Sequence, residues 1–275
     1  MKKILASDMD GTFLASDHTF DKVAFRKLLD DCKEKGYLFV AASGRPLLSL
    51  EKVFAGFEND MAFVAENGSI VSYQGQILFE DEPIPQETYL DIVDAIEEGP
   101  YGSQGLTVLS ARTGAYMLTE SHPEYFDLIS QFYVNTQRVD SFSQVTENII
   151  KMVAAFPDEK MAEAQAWLNQ KFPQVVAVTT GGDSVDIILS GVNKAIGLQK
   201  LCDYFDVTAA DIVAFGDNQN DLEMLDFAGL AIATENARQE VKDRVDQVIG
   251  HCNDGAVLKF MEEYVNKGNR LKSLK

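Results

Sequence analysis

The stretch Asp8-Met9-Asp10-Gly11-Thr12 sets two carboxylates two residues apart, directly after the short apolar run 4–7. Residues two apart in extended chain face the same way, so Asp8 and Asp10 can converge on one ligand. Gly11 lets the backbone turn tightly and approach an anion. Ser43-Gly44-Arg45 offers a hydroxyl and a flexible backbone suited to a phosphate oxygen, and it follows a second apolar run. Gly191-Val192-Asn193-Lys194 opens a helical pattern, where an ammonium and a helix N-terminus both favour an anion. Gly216-Asp217-Asn218-Gln219-Asn220-Asp221 follows a third apolar run and carries two acids four residues apart. Each segment alone has a plain explanation: an acidic turn, a capping serine, a solvated lysine, an Asn/Asp-rich surface loop. All four together, at strand ends of one chain, describe chemistry on a phosphate group.

The elements that must position them are legible as periodicity. Residues 4–7, 37–42 and 61–65 are almost wholly apolar. Between the first two, Ala24, Phe25, Leu28, Leu29 and Cys32 repeat at helical spacing up to Lys33-Glu34-Lys35-Gly36. That is βαβ material, predicting a parallel sheet covered on both faces, with ligands beyond the carboxyl ends of its strands. A hairpin is predicted over 70–79 around Gln74-Gly75-Gln76. The rhythm changes near Pro83-Ile84-Pro85. A helix follows, with Tyr89, Ile92, Val93 and Ile96 on one face, and then antiparallel strands over 106–110, 115–118 and 149–155 with helices over 124–133 and 159–171. The α/β rhythm returns with a helix over 194–205, strands over 212–215 and 230–233, and helices over 222–227 and 256–264. The expected architecture is an α/β, doubly wound parallel-sheet core over 1–83 and 187–275, interrupted by an α+β domain over 84–186.

Composition narrows the partners. The 275 residues carry a formal net charge of −19, with 46% hydrophobic and 10% aromatic content, ordinary for a folded protein. Such a field repels nucleic acid and anionic membranes. A small phosphate can still bind if a cation and a few positive groups reverse the field locally. The opening residues are too short for a signal-peptide core and no stretch reaches membrane-span length, so a cytoplasmic protein is expected. Cys32, Cys202 and Cys252 form no CxxC and read as free buried thiols. Asn67-Gly68-Ser69 matches a glycosylation sequon, which carries no meaning without secretion.

Taken together, DMDGTF, the serine ending the second strand, the helix-opening lysine and GDNQND resemble the four motifs of the haloacid dehalogenase superfamily. The α+β stretch between the second and third resembles the C2B cap of its Cof-type branch. Phe63-Val64-Ala65-Glu66-Asn67-Gly68 and Asp254-Gly255-Ala256 also look like that branch, and DMDGTFL resembles its bacterial sugar phosphatases. The resemblance spans essentially the whole chain. It implies Mg²⁺-dependent hydrolysis of small phosphate monoesters, with Asp8 as the nucleophile that forms a phospho-aspartyl intermediate and Asp10 as general acid and base. It implies Mg²⁺ on the Asp8 carboxylate, the Asp10 main-chain carbonyl and Asp217, with Asp221 behind them orienting metal waters or Lys194. Met9, Thr12, Ser43, Gly44, Lys194 and Asn220 are the implied phosphate-binding residues, Thr12 also holding Asp10 in place.

A cap of this kind limits substrate size, so sugar phosphates or other small phosphorylated metabolites are expected, with broad specificity. Thr180-Gly181-Gly182-Asp183-Ser184 is either the cap loop that reads the leaving group or a plain glycine turn. Arg45 can face either substrate or protein, and Trp167 reads as packing. His18, His122 and His251 are too scattered for a metal site or a triad. Two alternatives stay open. A phosphosugar mutase needs the same core, and a phospho-acceptor signalling module uses a similar acid, hydroxyl and lysine set, though receiver domains are shorter and lack an inserted domain. Oligomeric state is not legible.

Overall fold

A computed structural model describes residues 3–101, 106–179 and 184–267. In chain order its regular elements are β1 (Lys3–Ser7), α1 (Lys22–Lys35), β2 (Tyr37–Ala42), α2 (Leu47–Val53), β3 (Ala62–Ala65), β4 (Ile70–Tyr73) and β5 (Gln76–Glu80). Then follow α3 (Gln86–Glu98), β6 (Thr107–Ala111), β7 (Gly114–Leu118), α4 (Pro123–Phe132), β8 (Thr136–Val139), β9 (Ile149–Ala155), α5 (Met161–Lys171), β10 (Val175–Thr179) and β11 (Ser184–Leu189). The chain continues through α6 (Lys194–Phe205), β12 (Ile212–Gly216), α7 (Leu222–Phe227), β13 (Leu230–Ala233), α8 (Gln239–Lys242), β14 (Gln247–Val248) and α9 (Ala256–Lys267). The described residues form two compact units. One comprises the chain up to Ser43, Phe54–Phe79 and everything from Asn193 on; the other comprises Gly44–Val53 and Glu80–Val192.

The first unit holds a sheet ordered β14-β13-β12-β1-β2-β3-β4-β5. Its pairings are parallel from β14 through β3 and turn antiparallel at β3–β4. The strands are apolar on both faces because helices cover both. Ile4, Ala6, Leu38, Val40, Val64 and Ala214 share one core with Leu198, Leu201 and Cys202 of α6 and Met224 and Leu225 of α7. The alternate residues point the other way, where the Phe39 ring meets Phe25 of α1 at 4.9 Å and Phe215 meets Phe260 of α9 at 5.6 Å. Period-two alternation thus splits each strand between two helical layers. This is the doubly wound α/β core that the sequence predicts. Helix α1 shows why local sequence suffices here. Asp21 caps its first N–H groups, Phe25, Leu28, Leu29 and Cys32 are its buried stripe, and Lys33 and Lys35 sit at its negative end before Gly36.

The second unit is an α+β layer on a sheet ordered β10-β11-β9-β6-β7-β8. One face packs on α3 and α5 through Tyr89, Ile92, Ile96, Ala164 and Leu168. The other packs on α4 through Ile129 and Tyr133, against Val108, Met117 and Val153. Two features differ from the sequence reading. Strand β8 pairs parallel to β7, not antiparallel. Strands β8, β10 and β11 were not individually predicted; β8 reads Thr-Gln-Arg-Val, without an apolar run to reveal it. Lys151 and Asp186 form a buried ion pair in this unit at 3.2 Å. Trp167 packs beside Tyr101 and Gly99. Among the described residues, no helix is long and apolar enough to cross a membrane.

Candidate active site

At the carboxyl end of β1, the Asp8 N–H donates to Phe215 O at 2.9 Å, extending the ladder one residue beyond the strand. The chain then folds on itself. Asp8 O accepts from Phe13 N, and Met9 O accepts from Thr12 N and Leu14 N. The Met9 side chain is fully buried, so whatever Met9 offers a phosphate it offers through its main chain. Gly11 adopts φ +83°, and a Cβ there would lie 2.6 Å from Asp217 Oδ2. A glycine is therefore required for Asp217 to approach this loop.

Lys194 is the first residue of α6, whose N-cap Asn193 accepts from Ile196 N. Its side chain is completely buried. Its Nζ donates to Asp8 Oδ1 at 2.6 Å and to Asp221 Oδ1 at 2.7 Å. The other oxygen of Asp221 accepts the main-chain N–H groups of Asp217 and Asn218 at 2.9 and 3.0 Å. Asp221 therefore holds the lysine with one oxygen and shapes its own loop with the other. Asp8, Asp217 and Asp221 each present a carboxylate oxygen, all within 4.8 Å of one another.

Three carboxylates against one ammonium leave an excess of negative charge in a poorly solvated place. Burial pushes the Asp8 carboxyl well above its usual range; Lys194 pulls it back, and the charges of Asp221 and Asp217 push it up again. Burial, and then Asp221, lifts Asp217 to about 7, against the Thr12 hydrogen bond that lowers it. For Lys194, burial alone would lower the value, but Asp221 and Asp8 outweigh it and the ammonium stays charged. A cluster that retains protons for want of positive charge, and whose donors are all hard oxygens, suits a divalent cation such as Mg²⁺.

The remaining predicted residues fall as follows. Thr12 does not steady Asp10 as expected; its hydroxyl donates to Asp217 Oδ1 at 2.5 Å. Ser43 is buried at the end of β2, its N–H on Val64 O and its carbonyl accepting from Asn67 N. Asn220 Nδ2 donates to Asn67 Oδ1 at 3.0 Å. Gly44 groups with the second unit, where its carbonyl accepts from the Lys151 ammonium. There too, the Arg45 guanidinium lies 5.5 Å from the centre of the Phe132 ring. Of the loop over 180–184, residues 180–183 lie outside the described residues.

Sequence reasoning missed two residues. Asn67, read only as an idle sequon and a family-like flank, links Ser43 to Asn220. It sits in the turn Glu66-Asn67-Gly68, all at positive φ (49°, 56° and 111°), and a Cβ on Gly68 would meet Asn193 O at 2.1 Å. The signal available was the Asn-Gly pair one residue after a strand. His18, set aside with the other histidines, brings Nδ1 within 2.9 Å of Asp10 Oδ1. His122 and His251 do what scattered histidines commonly do, each accepting a main-chain N–H two residues on.

A family model of haloacid dehalogenase-like hydrolases matches residues 5–261. The chain belongs to that family. The hydrolase is 30% identical over 262 residues to an Escherichia coli 5-amino-6-(5-phospho-D-ribitylamino)uracil phosphatase, covering 95% of each chain. It is 25% identical over 270 residues to the HMP-PP phosphatase of Cronobacter sakazakii, covering 97% of each. A Streptococcus mutans protein of known crystal structure superposes on it with a TM-score of 0.91 at 29% identity, covering 97% of this chain and all of the other. Membership of this hydrolase family agrees with the superfamily that the four motifs resemble.

Proposed function

We propose that this hydrolase cleaves small phosphate monoesters through a phospho-aspartyl intermediate on Asp8. One observation carries the reading: a buried carboxylate at the end of β1, bridged at 2.6 Å by a buried ammonium and flanked by two further carboxylates. Such a nucleophile is reactive only when ionised, and Lys194 favours that form. An Asp8 oxygen attacks phosphorus while the bond to the leaving oxygen breaks, and Asp10 gives that oxygen its proton. Water then attacks the phosphorus of the acyl phosphate, Asp10 takes its proton, and the bond to Asp8 breaks to release phosphate. Asp8, Asp217 and the Asp10 main-chain carbonyl would hold Mg²⁺. When bound, that ion draws charge from the phosphoryl group and aligns it for displacement. Asp221 keeps Lys194 aimed at Asp8, while Ser43, Gly44 and Asn220, with the main chain of Met9, would hold the phosphate oxygens. Monoester hydrolysis needs up to ~10²¹-fold acceleration, whereas acid–base help supplies roughly 10²–10⁴. Fixed positive charge and positioning must therefore supply most of the rest.

The substrate class is a phosphorylated sugar or sugar alcohol, with residues 84–186 as the cap that bounds its size. The E. coli relative, which acts on a phosphoribityl compound, supports a polyol phosphate over a bulky phosphoprotein. The test is phosphate release from a panel of sugar phosphates, a phosphoribityl compound and a chromogenic monoester, run with Mg²⁺, with chelator, and with Asp8→Asn. Release that depends on both Mg²⁺ and Asp8 supports the mechanism. Phosphate that stays on the sugar but moves position would replace the hydrolase reading with a mutase.

A further inference from the structure

We infer that Asn67 is a positioning residue for the phosphate site: its side-chain oxygen selects which end of the Asn220 carboxamide is presented to a phosphate oxygen. This rests on the phosphatase reading and deepens it. Asn67, Ser43, Asn193 and Asn220 all belong to the first unit. The Asn67 N–H donates to Ser43 O at 3.0 Å, continuing beyond β2 and β3 the pairing that Ser43 N makes with Val64 O at 2.8 Å. Its Oδ1 accepts from Asn220 Nδ2 at 3.0 Å. The next residue, Gly68, is pressed on the first turn of α6. A Cβ on Gly68 would collide with the Asn193 carbonyl, and one on Gly197 would run into the Val64 side chain. Ser69 closes the turn, its N–H and its hydroxyl both donating to Glu66 O, at 3.2 and 3.0 Å. Asn67 itself is buried. Three successive residues at positive φ, two of them with side chains, form a conformation that local preference disfavours. Such backbone persists where its surroundings over-determine it. Here the surroundings are the three segments that carry Ser43, Lys194 and Asn220.

Asparagine tolerates the left-handed backbone, but glycine would serve that purpose as well. What glycine lacks is Oδ1, and donor and acceptor roles give that atom a consequence. An unprotonated phosphate oxygen only accepts, so Asn220 serves it through Nδ2, which carries two hydrogens. Asn67 Oδ1 is an acceptor too. It takes one of those hydrogens, keeps the Asn220 oxygen on the opposite side and fixes the carboxamide plane in which the second hydrogen lies. Removing Asn67 Oδ1 removes the preference it imposes. Whenever the carboxamide then turns its acceptor end to the site, it repels a phosphate oxygen.

The test is a double-mutant cycle on the full chain with Mg²⁺ and a chromogenic monoester, comparing wild type, Asn67→Gly, Asn220→Ala and the double variant. The quantities read are kcat, KM and the inhibition constant for inorganic phosphate. Asn67→Gly keeps the positive-φ backbone and removes Oδ1. A smaller folded fraction would lower kcat and leave the phosphate inhibition constant unmoved, so that constant separates positioning from stability. Asn220→Ala should raise it ~10-fold or more, as for loss of a hydrogen bond to a charged group, and Asn67→Gly should raise it ~5-fold. The double variant should bind phosphate as Asn220→Ala does, within about twofold, because the effect of Asn67 passes through Asn220. Asn67→Ala, placed in the same cycle, should match Asn67→Gly. Phosphate binding weakened in Asn67→Ala but kept in Asn67→Gly would trace the effect to the backbone and overturn the inference. Losses that multiply in the double variant, or an Asn220→Ala enzyme that binds phosphate as wild type does, would also overturn it. Wild type inactive on every ester would overturn the phosphatase reading and this inference with it, whereas active wild type with an unaltered Asn67→Gly overturns the inference alone.

Discussion

Replacing Lys194 by methionine keeps the length of the side chain and removes its charge, and the structure allows the consequence to be worked out. The ammonium lies 2.6 Å from Asp8 and 2.7 Å from Asp221, fully buried. At an effective dielectric of about 20, each contact corresponds to about 6 kcal/mol of gross attraction. Most of that is offset by the cost of removing three charges from water. The net effect of deleting one partner of a buried ionic group is about 3–5 kcal/mol, because the remaining charges are left uncompensated. A melting temperature lower by roughly 10 °C is expected. The pH dependence has a definite sign. Burial already holds Asp8 above its ordinary value, and the lysine is what lowers it. In Lys194→Met, Asp8 rises further, so the deficit is largest near pH 8 and shrinks toward pH 5 as the cluster takes up protons. Thermal unfolding followed by circular dichroism at both pH values measures this directly. A Lys194→Met protein melting within about 2 °C of wild type at pH 8, or showing a deficit that does not change with pH, would refute the reasoning.

Three further outcomes follow from the same cluster. Asp217 titrates at about 7 in the fold against an ordinary value of 3.8, so the metal-free folded state keeps a proton that the unfolded chain has lost. Metal-free stability should therefore fall as pH rises from about 4 to 7. Mg²⁺ must displace that proton below pH 7, so it should raise the melting temperature more at pH 8 than at pH 5.5; equal increments would count against Asp217 as a ligand. Gly11→Ala would place a Cβ 2.6 Å from Asp217 Oδ2 at φ +83°. It should weaken Mg²⁺ binding and Mg²⁺-dependent phosphate release by ~10–100-fold with the far-ultraviolet spectrum retained, and unimpaired Mg²⁺ titration would contradict it.

The doubly wound core and the four reactive segments were legible in the sequence because both depend on local physics. Apolar runs such as 37–42 declare buried strands whatever surrounds them, and acids directly after such runs lie at strand ends by chain continuity alone. Helix α1 announced its own stripe and its C-terminal end, while its cap at Asp21 emerged only in the structure. Strand β8, polar and paired parallel to β7, had no such signature, since its place comes from its neighbour and not from its own side chains. The partners within the site were likewise beyond the sequence. Thr12 finds Asp217 across 205 residues, and Lys194 finds Asp8 across 186, through loops whose conformations are set by packing. The family resemblance implied Asp10 as the partner of Thr12; the turn at Gly11, with Asp217 pressed against it, gives Thr12 to Asp217 instead. His18 shows the same division. Its residue type was visible, but its contact with Asp10 depends on a left-handed backbone and on Ser16 bound to Asn253, a residue 237 positions away. Residue type and periodicity determine which groups are available and at which end of the sheet. Only the folded loops decide which of them touch.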